Sequence, residues 1–136
     1  MKVASIEDEY GVSIASPYER TIKVLFAPDR RGVPELTFSH VTIPPGGGTD
    51  SHAHDRPELI YIVSGTARCA SPDGAEVRGP GAALWAETGE LHELRNAGDE
   101  PLTIVTVFVP PYRAEQLYAA CLERAAAASE EESPDV

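Results

Sequence analysis

From Gly11 to Pro110 the chain is a succession of short runs rich in β-branched and aromatic residues, cut at close intervals by Gly, Pro, Asp and Asn. Runs of this length, separated by turn residues, pair as antiparallel strands that roll into a barrel or sandwich. Strands are expected at GVSIA, TIKVLF, ELTFSHVTI, DSHAH, ELIYIVSG, TARCA, AEVRG, GAALWA, HELRN and PLTIVTVFV, with turns at PPGGG, SPDG, GPG, ETGE and NAGDEP. After Pro110-Pro111 the period changes. Leu117, Ala120, Cys121 and Ala125 recur at helical spacing, so one helix should pack on the strands. The expected fold class is all-β with a single C-terminal α-helix. A chain of 136 residues has room for one domain, expected over residues 1–128, and SEEESPDV at 129–136 reads as an acidic, disordered tail.

Composition narrows the partners. The formal net charge is −11, which opposes binding to a phosphate backbone, so nucleic acid is not an expected partner. No apolar run approaches the roughly 20 residues of a membrane-spanning helix, and no membrane partner is expected. The first ten residues, MKVASIEDEY, carry acids where a signal peptide needs an apolar stretch, so the expected compartment is the cytoplasm. Cys69 and Cys121 fall on an expected strand and an expected helix and read as buried thiols rather than a disulfide.

Four residues stand out as candidate metal ligands. His52 and His54 are two apart, so on an extended segment both imidazoles leave the same face. Glu58 opens the alternating run Glu58, Ile60, Ile62; if the isoleucines fill the barrel, the carboxylate points inward with them. A carboxylate facing an apolar interior is costly unless it is paired or bound to a cation. His92, at the head of HELRN, can close the shell from a neighbouring strand. Three nitrogens and one oxygen suit a divalent transition metal ion, Fe, Mn, Ni, Co or Zn, and affinity alone does not select among them.

These residues also carry a resemblance. GGGTDSHAHDRPELIYIVSG, residues 46–65, resembles the first cupin motif through Gly46, His52, His54, Glu58 and Gly65. GAALWAETGELHELRN, residues 81–96, resembles the second through Gly81, Gly89, His92 and Asn96. One departure is Glu87, which stands where the second motif usually has a proline. The resemblance implies a small single-domain (monocupin) protein of the cupin superfamily, folded as a double-stranded β-helix (jelly-roll) barrel with one bound metal. It also implies a small-molecule substrate or ligand. Dioxygenases, isomerases, lyases, decarboxylases and cyclases all occur in the family.

Around the ligands, His40 and Glu87 are candidate catalytic groups, His40 as a general base on the strand leading into the first motif and Glu87 on the ETGE turn. Arg56, Ile60, Ile62, Trp85 and Leu94 are candidate substrate-pocket residues. The parity of Glu58 turns Tyr61 outward, and Gly65 and Asn96 read as structural. The expected function is that of a metal-dependent enzyme on a small organic molecule, by dioxygenase or isomerase and cyclase chemistry; the alternative is a non-catalytic small-ligand-binding cupin. Without a basic helical pair the chain does not read as a regulator. A homodimer is expected, with the segment before Gly11 as a candidate for pairing with a second copy.

Overall fold

The structure, a computed structural model, describes residues 1–132. After a 3-10 turn at Ile6–Asp8, the described chain forms strands β1 (Val12–Ile14), β2 (Arg20–Phe26), β3 (Thr37–Ile43), β4 (Glu58–Ser64), β5 (Ala67–Ser71), β6 (Gly74–Arg78), β7 (Ala83–Ala86), β8 (Glu93–Asn96) and β9 (Leu102–Phe108). Helix α1 (Ala114–Glu132) follows. All pairings are antiparallel, in a six-stranded sheet of order β1-β2-β3-β9-β4-β7 and a three-stranded sheet of order β6-β5-β8. Ile22, Val24, Val41, Ile43, Ile60, Ile62, Leu94, Leu102 and Ile104 form the core between them. The all-β jelly-roll expectation holds.

Nine of the ten expected strands form. DSHAH does not become a strand: this segment meets β8 through isolated bridges, Gly48 with Arg95 and His52 with His92, because close backbone approach replaces a regular ladder there. The His52 N–H donates to the His92 carbonyl at 3.1 Å and the His92 N–H to the His52 carbonyl at 2.9 Å. Gly48 permits the approach, since a Cβ at that position would lie 2.6 Å from the Leu94 carbonyl oxygen.

Asn96 fixes the far end of β8. Its side-chain amide donates to the carbonyls of Ile43 (2.9 Å) and Glu100 (2.8 Å), and its oxygen accepts from the Gly98 N–H at 2.9 Å. Asn96→Ala leaves these backbone groups without partners and is expected to cost about 2–4 kcal/mol. Urea denaturation reads this directly; a loss under about 1 kcal/mol would contradict the role.

Helix α1 lies against the barrel through Ala114, Leu117, Tyr118, Cys121 and Ala125, all buried. Asp29, on the β2–β3 connection, accepts from the Ala114 N–H at 2.6 Å and the Glu115 N–H at 3.2 Å, capping the helix start. The Tyr118 hydroxyl accepts the Val24 N–H at 2.7 Å. The helix runs on through Ser129–Glu132, into the stretch expected to be the tail, because Glu is a good helix former, only a little behind the alanines that precede it. The rest of that tail, 133–136, lies outside the described residues. Among those described, no helix is long and apolar enough to cross a membrane, and Cys69 and Cys121 are free.

The segment before Gly11 folds onto its own barrel. Lys2 Nζ donates to the carbonyls of Arg31 and Gly32, Lys23 Nζ to that of Ile6, and Arg30 pairs with Glu9 at 2.7 Å.

Candidate metal centre

The alternation of β4 decides the position of Glu58. Glu58, Ile60 and Ile62 are buried while Leu59, Tyr61 and Val63 are exposed, so the carboxylate enters the barrel on the isoleucine face. His52 and His54 reach it from the loop ahead of β4, and His92 from the residue before β8. All four side chains are buried, and one ligand atom from each lies within 4.8 Å of the others.

Hydrogen bonds aim the rings. His52 Nδ1 bonds the Asp50 carbonyl at 2.7 Å and His92 Nδ1 the Glu90 carbonyl at 2.8 Å, so each ring carries a proton on Nδ1 and turns Nε2 to the cluster, where that of His92 gives up the proton it shares with Glu58 when it ligates an ion. His92 Nε2 is 2.9 Å from Glu58 Oε1, and His54 Nε2 is 3.4 Å from the same oxygen. With its Nε2 turned to the cluster, His54 can donate from Nδ1 to the Tyr112 hydroxyl, 3.4 Å away, and that hydroxyl donates to Asp55 at 3.0 Å.

The electrostatics match a cation site. Burial alone raises the pKa of Glu58, but hydrogen bonds from His54 and His92, with the histidine charges, hold it at about 2. His52 is lowered to about 3, first by burial and then by the charge of Arg124. Burial lowers His92, yet its bonds to Glu58 and the Glu90 carbonyl outweigh this and raise it. A buried carboxylate ringed by imidazoles, two with their outer nitrogens tied to carbonyls, fits one divalent transition ion.

The cavity holding this cluster is small, about 50 Å³, and α1 supplies part of its wall. Ile22, Val41, Ile60, Leu94, Ile104 and Phe108 line it from the barrel, and Leu117, Cys121 and Arg124 from the helix. Arg20 is also in the lining, held by carbonyl bonds: its Nη1 donates to those of Tyr18 (3.0 Å) and Gly48 (3.1 Å). A second cleft, of about 370 Å³, lies along β5, β6 and β7 and shares Ile60, His92 and Leu94 with the first.

Several expected pocket residues stand elsewhere. His40 lies on the outer face of β3, opposite Lys23, whereas Ser39 and Val41 on the other face line the cavity; the register with β2 and β9 sets this parity. Glu87 is exposed on its turn, with its N–H bonded to Glu90 Oε1, and Glu90 is the acid beside His92. Arg56 does not line the cavity. Its guanidinium stacks 3.7 Å over the Tyr112 ring and donates to the carbonyls of Pro110 and Pro111, tying the ligand loop to the start of α1. Trp85 is 57% exposed and lines the second cleft, and Ile62 is fully buried in the core. Ile60 and Leu94 are in the wall as expected.

Arg20, Asp50, Tyr112 and Arg124 join the surroundings of the cluster without belonging to either motif's ligand positions. Arg20 had a signal, because it is in phase with the buried Ile22 and Val24 along β2. Arg124 had none, since its place depends on how α1 docks.

A family model described as Cupin domain matches residues 39–108, which include all four candidate ligands. The chain belongs to the cupin superfamily. This cupin is 30% identical over 100 residues to the L-ectoine synthase of Bordetella petrii, 72% of each chain being covered. The crystal structure of ectoine synthase from P. lautus superposes with a TM-score of 0.72 at 19% identity, over 88% of this chain and 86% of that one. The polyketide cyclase RemF from Streptomyces resistomycificus gives 0.67 at 25% identity, over 79% and 78%.

Proposed function

We propose that this cupin is a metal-dependent enzyme that performs a redox-neutral bond-forming reaction of the cyclase type on a small organic molecule. The observation that carries the proposal is the buried cluster of His52, His54, Glu58 and His92 at a cavity. The relatives direct the choice between oxygen chemistry and redox-neutral chemistry: one is a synthase and another a cyclase, and neither name is that of an oxygenase.

His52, His54, Glu58 and His92 would hold the ion, which when bound supplies a Lewis acid that polarises a carbonyl or lowers the pKa of water. The chain's own residues provide the setting. The Asp50 and Glu90 carbonyls keep the His52 and His92 protons on Nδ1, and Tyr112 steadies His54. The apolar wall excludes bulk water, and the narrow cavity limits the reacting end of a substrate to a few heavy atoms.

The test is turnover under strict anaerobiosis. Candidate acyclic precursors are incubated with metal-loaded protein, and product is followed by mass spectrometry. Equal rates with and without dioxygen are expected. A product that requires dioxygen would replace this reading with a dioxygenase, and unchanged recovery of a bound ligand would replace it with a binding protein.

The reading places the enzyme in the cytoplasm as a homodimer. Leu59, Tyr61, Val63 and Trp85 are exposed together on the outward face of β4 and β7, where Leu59 pairs with Trp85, and a two-fold contact would cover that face on both copies. Light scattering at micromolar concentration is expected to give twice the chain mass; the mass of one chain refutes the dimer.

A further inference from the structure

On the helix side of the metal-cluster cavity two arginines face a single carboxylate, while Glu58 is engaged with the histidines. Arg20 and Arg124 both line the cavity, and Asp50 stands between them as their shared counter-ion. Asp50 Oδ1 is 3.7 Å from Arg20 Nη2, and Asp50 Oδ2 is 3.7 Å from Arg124 Nε. Both separations exceed a hydrogen bond, and Asp50 Oδ1 and Arg124 Nε, each buried, have no hydrogen-bond partner among the described residues. A closed salt bridge would satisfy these atoms. Here two guanidinium groups share one carboxylate at a distance, in a chain whose formal net charge is −11.

The location gives the unpartnered Arg124 Nε a use. The Arg20 side chain is 2% exposed and anchored by carbonyls at its Nη1, while that of Arg124, on α1, is 26% exposed and borders the same cavity. Burial lowers the Arg20 pKa, with Asp50 acting to raise it and Arg124 to lower it further, as two like charges held close together do. A buried donor without a partner costs free energy that an incoming acceptor recovers. A planar carboxylate matches the guanidinium fork and is small enough for the narrow part of the cavity. The second cleft is lined instead by Asp73, Glu76, Glu90 and Glu93, so an anion has its favourable side at the arginines.

We propose that Arg124, supported by Arg20 and Asp50, is an anion-docking group that binds a carboxylate of the substrate and holds its other end towards the His/Glu cluster. This assignment rests on the proposed function and adds the substrate class, a small carboxylic acid. Asp50 then has two parts: it keeps the arginines tolerable in the free protein, and it turns partly away when the substrate carboxylate arrives. Arg124 brings α1 into substrate recognition.

The experiment compares N-acetylglycine with its neutral counterpart N-acetylglycinamide, by calorimetry in low-chloride buffer. The full chain is used in zinc-loaded and metal-free form, with Arg124→Gln and Arg124→Lys alongside. The acid is expected to bind about tenfold or more tightly than the amide, Arg124→Gln to lose most of that preference, and Arg124→Lys to retain part of it. Zinc content should be unchanged in both variants, which separates docking from metal loss. Equal affinity for acid and amide, no binding of either, or a full preference in Arg124→Gln overturns the assignment; the last result would place the carboxylate on the ion. An Arg124-dependent preference that persists in metal-free protein supports the docking group even if the metal reading fails. Failure of the wild type to bind metal refutes that reading alone.

Discussion

His52→Ala is expected to reduce bound transition metal from about one ion per chain to under a tenth of that, and to abolish turnover with it. Losing even an outer partner of a ligating histidine weakens metal binding about 10–100-fold. Removing an imidazole from a four-residue set costs at least as much, because the remaining three cannot close the same shell. The neighbouring groups do not compensate: Asp50 presents its carbonyl to His52, and its carboxylate faces Arg20 and Arg124. Metal analysis after dialysis against a weak chelator measures the loss, with circular dichroism to verify folding. His40→Ala and Glu87→Ala serve as controls. His40 is on the outer face of β3 and Glu87 on an exposed turn, so both variants should keep wild-type metal content. Stoichiometric metal in His52→Ala would remove the ligand assignment.

The four candidate ligands could be found from sequence because their geometry is local. Two residues apart on an extended segment, or in phase with Ile60 and Ile62, a side chain's direction follows from backbone period alone. The face on which His40 lies was hidden for the complementary reason. In TFSHVTI the interior face carries Thr37, Ser39, Val41 and Ile43, so the polar and apolar positions do not separate cleanly. Thr37 and Ser39 are tolerated inside because their hydroxyls have partners: Thr37 donates to the Tyr112 carbonyl, and Ser39 bonds Thr106. Neither partner is visible from the strand itself.

The interior charge was illegible for a similar reason. Arg20 alternates with Ile22 and Val24, but a lone arginine in that phase gives no indication of the acid that accompanies it. Asp50 and Arg124 come from a loop and a helix that meet only when α1 docks. Its docking is set by Asp29 at the helix start, by Tyr118 on Val24 and by the buried face from Leu117 to Ala125, all contacts between distant parts of the chain. Arg56 shows the same dependence on assembly, since its stacking on Tyr112 requires the turn at Pro110-Pro111 to pass beside the ligand loop.

Metal-free protein is expected to lose stability steeply on mild acidification. His52 has a folded pKa of about 3 against an ordinary value of 6.5, so between these limits the unfolded chain binds a proton that the fold refuses. Stability is therefore complete above about pH 6.5 and falls by about 1.4 kcal/mol for each pH unit below it. From pH 6.5 to 4.5 the loss from this one group comes to about 2 kcal/mol. Glu58, held at about 2 against 4.5, contributes stability above 4.5 that disappears only in stronger acid, so it does not obscure the upper window. His92 has the opposite sign: its raised pKa favours the fold at low pH, and that contribution fades as pH rises through the folded value. It therefore acts at the alkaline side of the window and leaves the slope below pH 6 to His52. Urea denaturation of metal-free protein at pH 6.5, 5.5 and 4.5 measures the slope, and His52→Ala should flatten it. A wild-type stability constant over that range, or an equal slope in the variant, would show that His52 is not the group the fold keeps unprotonated. Because a bound ion also requires neutral imidazoles, the same acid range should release metal from the loaded protein, and metal content followed in parallel should fall together with stability.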